Sequence, residues 1–98
     1  MYDKEADLLT DVLKWFAPQE PSGIVALPIR DRYAKGYSDL FICVRGRLVV
    51  AELKDNIGTA SPHQIAFLNK MRKAGAVGGI CRSVEEVATL VKEAERSN

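Results

Sequence analysis

Apolar residues recur along the chain with two spacings, a helical one near the ends and an alternating or continuous one in the middle. Over residues 3–16 they return every three or four positions, which predicts an amphipathic helix that Pro18 and Pro21 terminate. The segment Arg45-Gly46-Arg47 predicts a hairpin turn, and Pro28 indicates the end of a strand or a sheet edge. Runs rich in β-branched residues predict three strands, at 24–27, 40–44 and 48–53.

The second half of the chain predicts two more helices around one more strand. A Ser-Pro pair at 61–62 starts a helix, and Gly75 lies just beyond its expected end. Residues 77–81 predict a strand. Ser83 and Glu86 then form a capping-box pattern, which predicts a last helix of about a dozen residues.

The resulting order, αβββαβα, restricts the topology. Three consecutive strands should form an antiparallel meander, and the β-helix-β unit over residues 48–81 should be a right-handed parallel crossover. The expected fold class is therefore α/β, with a mixed central sheet flanked by helices. The length fits one domain spanning residues 1–98.

The composition is that of an ordinary globular protein, with 47% hydrophobic and 28% charged residues. The net charge of +1 excludes no class of partner, but residues 30–47 carry five bases against two acids. Within this segment, Arg30, Arg32, Tyr33 and Lys35 are candidate contacts to the phosphates of a nucleic acid. A solvated charged surface would give the same pattern.

Cys43 and Cys81 each lie within an apolar run, which predicts buried free thiols and a reducing cytoplasm. No signal peptide and no run long enough for a membrane span is visible in the sequence. Because 98 residues supply only a modest core, a second copy of the chain would help by burying more apolar surface.

Asp39, Glu52 and Lys54 form the candidate catalytic group. Glu52 lies in the predicted strand 48–53 and Lys54 directly follows it, so the alternation of side chains should point both to the same face. Asp39 lies opposite Glu52 if the hairpin turn is 45–46. It lies opposite Lys54 if the turn is 46–47, and all three side chains share one face in either register.

This arrangement suits the chemistry of a metal-dependent hydrolase. Facing carboxylates repel each other, but they can share a hard cation such as Mg²⁺. A nearby lysine can then orient or deprotonate a water molecule or balance charge on a phosphate. A plain salt bridge between Lys54 and an acid at a solvated strand end is the alternative.

Two helical residues are further candidates. Glu5 is the one charge on the apolar stripe of the first helix, where a buried carboxylate is costly unless it is paired or bound to metal. Alternatively, Glu5 stays hydrated in the first helical turn. Gln64 can reach the same site, or it can serve only as the third helical residue of a capping box with Ser61. His63, the only histidine, is expected to be a surface or structural residue.

The ordered set of motifs resembles the virus-type replication-repair nuclease (VRR-NUC) domain, in its standalone phage and bacterial form. The residues that carry the resemblance run over nearly the whole chain: Gly36-x-Ser38-Asp39, Glu52-x-Lys54, Ser61-x-x-Gln64-x-x-x-Leu68, Gly75 and Ser83-x-Glu85-Glu86. Ser38 departs from the pattern, because the family often has proline before the aspartate.

The resemblance implies a restriction-endonuclease-like, PD-(D/E)xK fold and a metal-dependent DNA endonuclease that hydrolyses phosphodiester bonds. The implied catalytic residues are Asp39, Glu52, Lys54, Gln64 and Glu5. The implied ligands of Mg²⁺ or Mn²⁺ are Asp39, Glu52, the backbone carbonyl of Leu53 and Glu5. No organic cofactor is expected.

Branched DNA such as a four-way (Holliday) junction is the expected substrate, and a homodimer is the expected assembly. One site cuts one strand, whereas a two-fold dimer presents two sites to two strands. The first helix and the exposed edge near Pro28 are candidate interfaces. A flap-directed or general nuclease is an alternative, and so is a non-catalytic nucleic-acid-binding module of the same fold.

Overall fold

Three helices pack on a four-stranded sheet in the computed structural model, which describes residues 2–29 and 40–96. The helices are α1 (Glu5–Phe16), α2 (Pro62–Lys73) and α3 (Val84–Arg96). The strands are β1 (Ile24–Pro28), β2 (Leu40–Val44), β3 (Arg47–Leu53) and β4 (Val77–Cys81). Each predicted helix and strand is present, with ends that differ by no more than one or two residues.

The sequence prediction missed one element, a 3₁₀ helix over Ala17–Ser22 that was expected to be a loop. Its two prolines lack the backbone N–H that would continue the α-helical hydrogen bonds, so α1 ends, while their fixed φ angle still fits the 3₁₀ turn. In the ranges that the structure describes, no helix has the length and apolar character needed to cross a lipid bilayer.

The strands follow each other across the sheet in the order β1-β2-β3-β4. The first three are antiparallel and β4 is parallel to β3, so the predicted meander and the parallel β-helix-β unit are both confirmed. β1 is an edge strand that ends at Pro28, which is the position that a residue without a backbone N–H favours.

A two-residue turn at Arg45 and Gly46 sets the register of the hairpin. Val44 pairs with Arg47, and both turn residues have positive φ, 47° and 91°, as a type I′ turn requires. The left-handed conformation is unusual for arginine. Its side chain is held on both sides, since Nε donates to the carbonyl oxygen of Ser22 and Nη1 pairs with Glu95 at 2.6 Å.

The two faces of the sheet are covered unequally. One face packs entirely against α1 and α3 and forms the main core. The other face packs against α2, which lies over β3 and β4, and the Phe67 ring of α2 stacks on Phe41 of β2 at 6.1 Å. Towards β1 this second face is open, and Val25 and Leu27 are 45% and 59% exposed.

Because the two faces are covered unequally, one of the two cysteines predicted to be buried is exposed. Cys81 is buried as expected, and burial, with a smaller contribution from Glu86, raises the pKa of its thiol to about 12. Cys43 was expected to be buried but is exposed, because it points to the open half of the second face, where it pairs with Val25.

The tight contact between β4 and β3 generates a stability prediction. A Cβ atom at Gly78 would lie 2.8 Å from Cγ2 of the fully buried Val50, whereas one at Gly79 would meet Leu90 at an ordinary 3.4 Å. We expect Gly78→Ala to lower the free energy of unfolding by about 1–3 kcal/mol, because neither strand can move freely. Gly79→Ala is the matched control and should change it little. Urea denaturation measures both, and equal effects would contradict this description of the sheet.

Candidate active site

Glu52 is the one buried charged or polar residue in the part of the chain that the structure describes, and its exposure is 0%. It lies near the end of β3, between Ala51 and Leu53, which point to the main core. The alternation of side chains along the strand therefore turns Glu52 to the face that α2 covers. An ionised carboxylate is costly to bury unless it is paired and hydrogen-bonded, so its surroundings determine whether this position is tolerated.

Gln64 of α2 supplies one partner. Its Nε2 donates a hydrogen bond of 2.7 Å to Oε2 of Glu52. The same side chain closes the capping box of α2, because its Oε1 accepts from the backbone N–H of Ser61 at 2.9 Å. The two sequence interpretations of Gln64 therefore both hold. The cap fixes one end of the amide, and this orients the other end towards Glu52.

Lys54 supplies a second partner to the same oxygen. Its Nζ lies 3.3 Å from Oε2 of Glu52, and the side chain is only 14% exposed. The prediction that Glu52 and Lys54 share a face is thus confirmed. The salt bridge that was the alternative interpretation is also present, but it is buried and not at a solvated strand end. A buried pair gives little net stability, because desolvating the two charges offsets their attraction.

The loop that follows Lys54, expected from sequence over residues 55–60, lies beside the lysine side chain. Oδ1 of Asp55 accepts hydrogen bonds from the N–H groups of Ile57 and Gly58, which closes an Asx turn. Gly58 lies so close to Lys54 that an added Cβ would be 3.5 Å from Cδ of the lysine. Arg82, just after β4, donates to the carbonyl oxygen of Asp55. The spacing of Asp55 and Gly58 was the available sequence signal.

The same loop also fixes the start of α1. The backbone N–H of Asn56 donates to the carbonyl oxygen of Tyr2 at 2.9 Å. Glu5, the first residue of α1, is half-buried, and the stripe that follows it is buried as predicted, at Leu8, Val12 and Phe16. The structure therefore brings the beginning of α1 next to the end of β3. A metal-binding role for Glu5 stays a prediction.

Several predicted site residues lie outside the described residues, namely Asp39, Arg30, Arg32, Tyr33 and Lys35. The hairpin register is nevertheless decided, since the turn is 45–46 and Leu40 pairs with Ala51.

Within residues 2–29 and 40–96, no group of three or more His, Cys, Asp or Glu side chains is arranged to hold a metal ion. Leu53 lies at the end of β3, and His63 is exposed on α2.

The backbone is similar to solved structures of VRR_NUC domains. One of them, a VRR_NUC domain, aligns with a TM-score of 0.69 over 90% of this chain and 94% of its own length, at 24% sequence identity. Another, a VRR_NUC domain protein, aligns with a TM-score of 0.77 over 100% of this chain and 93% of its own, at 19% identity.

This chain has the VRR_NUC fold. The predicted restriction-endonuclease-like core, with a mixed sheet and flanking helices, is thereby confirmed. No family model and no curated protein matches the sequence. The resemblance carried by the motifs is thus confirmed at the level of the VRR_NUC fold.

The double role of Gln64 within this VRR_NUC fold can be separated by mutation. Ser61→Ala removes one hydrogen bond of the α2 capping box, which its hydroxyl accepts from the Gln64 N–H, and should cost about 0.5–2 kcal/mol of unfolding free energy. Gln64→Ala removes the other hydrogen bond of the capping box, which its Oε1 accepts from the Ser61 N–H, and also the donor to buried Glu52, so it should cost about 1–3 kcal/mol more than Ser61→Ala. Thermal or urea unfolding of the two variants measures the difference. Equal losses would mean that Gln64 acts only as a capping residue.

Proposed function

We propose that the chain is a metal-dependent DNA nuclease of the VRR-NUC family. The observation that carries this proposal is the buried carboxylate of Glu52, held between the amide of Gln64 and the ammonium of Lys54. Apolar residues of similar volume would serve stability as well as such a cluster does. A buried charge at this position, in a chain with the VRR_NUC fold, therefore supports a chemical role.

The residues at this position suit a hard divalent cation, because carboxylate and carbonyl oxygens are the ligands that Mg²⁺ and Mn²⁺ prefer. We expect Asp39 and Glu52 to hold the ion, with the carbonyl oxygen of Leu53 and with Glu5 as a further candidate. The observed register supports this set, because Asp39 directly precedes Leu40, and Leu40 pairs with the residue before Glu52. When bound, the cation supplies polarisation of the scissile phosphate and of a water molecule.

The remaining chemistry belongs to Lys54 and Gln64. Nζ of Lys54 lies beside the carboxylate and can orient or deprotonate the attacking water, or balance the negative charge that develops on the phosphate. Gln64 is a positioning residue, since its amide donates to Oε2 of Glu52 and fixes the direction of that carboxylate. Arg30, Arg32, Tyr33 and Lys35 stay predicted contacts to DNA phosphates.

We further propose that the substrate is branched DNA, such as a four-way junction, and that the enzyme acts as a homodimer. Of the two candidate interfaces, the structure favours the β1 edge. The apolar stripe of α1 is buried in the protein's own core, whereas Val25 and Leu27 of β1 are exposed beside Cys43. A surface of this kind fits contact with a second copy. Free thiols fit a reducing compartment, the cytoplasm of a bacterium or of a phage-infected host.

The nuclease proposal predicts that Lys54→Ala abolishes cleavage while DNA affinity changes little, because Lys54 is expected to act in the transition state. The variant should still fold, with a lower free energy of unfolding, because buried Glu52 loses its ion-pair partner. The assay is incubation of labelled linear, nicked, flap and four-way DNA with Mg²⁺ or Mn²⁺. Lys92→Ala, which removes an exposed lysine of α3, is the matched control and should cleave normally. A Lys54→Ala protein that cleaves at the wild-type rate would refute the assignment. Wild-type protein that binds but cuts none of these DNAs would favour the non-catalytic module.

The dimer proposal predicts that Leu27→Glu produces monomers, because it places a charge on the open apolar surface of β1. Ile57→Glu, at an exposed apolar residue outside that surface, should leave the dimer intact. Sedimentation velocity measures the assembly directly. A wild-type mass of 10.8 kDa, the mass of one chain, would contradict the proposal. If the monomer also showed no preference for four-way junctions over linear duplex, a flap-directed or general nuclease would be the better assignment.

A further inference from the structure

The three helices differ sharply in charge. α1 carries three acids and one base, and α3 carries four acids and two bases. α2 has no acid at all and three bases, Lys70, Arg72 and Lys73. Since α1 and α3 share one face of the sheet and α2 lies on the other, the acidic and basic helices are on opposite sides of the protein.

The bases of α2 are directed away from the sheet. The inner side of the helix is marked by its buried and half-buried residues, Gln64, Phe67, Leu68 and Met71. At about 100° per residue, Lys73 then lies on the opposite side, with Lys70 and Arg72 on the two flanks. All three are exposed, and none forms an ion pair with any residue in 2–29 or 40–96.

Helix stability explains only part of this pattern. Basic residues in the last turn interact favourably with the helix dipole. That effect gives no reason for the lack of acids over the whole of α2. An exposed helix face with one sign of charge is complementary to a polyanion.

The position of α2 relative to the candidate active site indicates which polyanion would bind, namely the nucleic acid. Gln64 in the first turn contacts Glu52, and the three bases follow six to nine residues later on the same helix. At a rise of 1.5 Å per residue they lie roughly 9–14 Å along the helix from Gln64. This length corresponds to roughly three to four base pairs of duplex DNA.

We infer that the outer face of α2, formed by Lys70, Arg72 and Lys73, binds the phosphate backbone of the nucleic acid a few base pairs from the scissile bond. The inference rests on the proposed function for the choice of ligand. It adds to that function a second phosphate-binding surface, separate from the basic segment at residues 30–35. It also assigns the side of the protein that faces DNA, which is the α2 side and not the acidic side of α1 and α3.

The test is a pair of charge-matched variants. Lys70→Gln with Lys73→Gln removes two charges from α2, and Lys14→Gln with Lys92→Gln removes two exposed charges from α1 and α3. Fluorescence anisotropy with a labelled linear duplex and a labelled four-way junction, in EDTA to prevent cleavage, gives Kd over a range of salt concentrations. Circular dichroism melts check that both proteins are folded.

We expect the α2 variant to bind roughly tenfold or more weakly and to lower the slope of log K against log salt by about 1–2, since each lost phosphate contact contributes about 0.9. The control variant should change both quantities much less. Equal slopes for wild type and the α2 variant, or an equal loss in the control, would overturn the inference. An α2 variant that loses affinity for poly-glutamate but not for DNA would assign this face to acidic proteins and also overturn it.

This result is independent of catalysis. If the wild type binds DNA through α2 but cleaves none of the substrates, the nuclease proposal fails and the assignment of α2 as a phosphate-binding face stands. If the wild type cleaves and the α2 variant keeps its salt slope, the inference fails and the nuclease proposal stands.

Discussion

The burial of one carboxylate, that of Glu52, is the constraint on which the rest of the site depends. Its Oε2 accepts from the amide of Gln64 and pairs with the ammonium of Lys54, so donors from α2 and from the residue that follows β3 converge on one oxygen. Ordinary folding devices adjoin both donors, since the capping box at Ser61 holds the Gln64 amide and the Asx turn at Asp55 directly follows Lys54. Removing any of these leaves a buried charge less well solvated, which links local stability to the chemistry of the site.

The unequal coverage of the sheet gives the molecule its functional asymmetry. α1 and α3 cover one face, whereas α2 covers only half of the other. α1 and α3 have more acidic than basic residues, and the charged residues of α2 are all basic. Glu52 lies beneath α2, and the uncovered half of that face exposes Val25 and Leu27. One side of the protein therefore offers a buried acid, a basic helix and an apolar surface, and the proposed catalysis, DNA binding and dimerisation rest on these three features.

Much of the fold could be predicted from sequence, because the spacing of apolar residues, the turn residues and the helix caps all indicated the same element boundaries. The type I′ turn at Arg45 and Gly46 is a local signal, and it was enough to limit the hairpin to two registers. The exposure of Cys43 could not be predicted in this way. An apolar strand shows that its faces can be buried, but not that α2 is too narrow to cover both halves of the sheet.

In the site, too, contacts between residues close in sequence could be predicted, whereas contacts between distant residues could not. The spacing of Glu52 and Lys54 on one strand placed them together correctly. The contact of Gln64 with Glu52 was one of two open interpretations, because the sequence does not show how closely α2 packs on β3. The support that Arg82 gives to the Asp55 loop depends on residues 27 positions apart, and no local pattern indicates it.

The central claim is that Glu52 is a metal ligand and not only a buried ion-pair partner. Isothermal titration of Mn²⁺ into the wild type and into Glu52→Gln, a variant of nearly the same shape without the charge, tests it most directly. We predict that Mn²⁺ binds the wild type and that Glu52→Gln, still folded by circular dichroism, binds it roughly 10-fold or more weakly. Equal Mn²⁺ affinity in the two folded proteins would contradict the account.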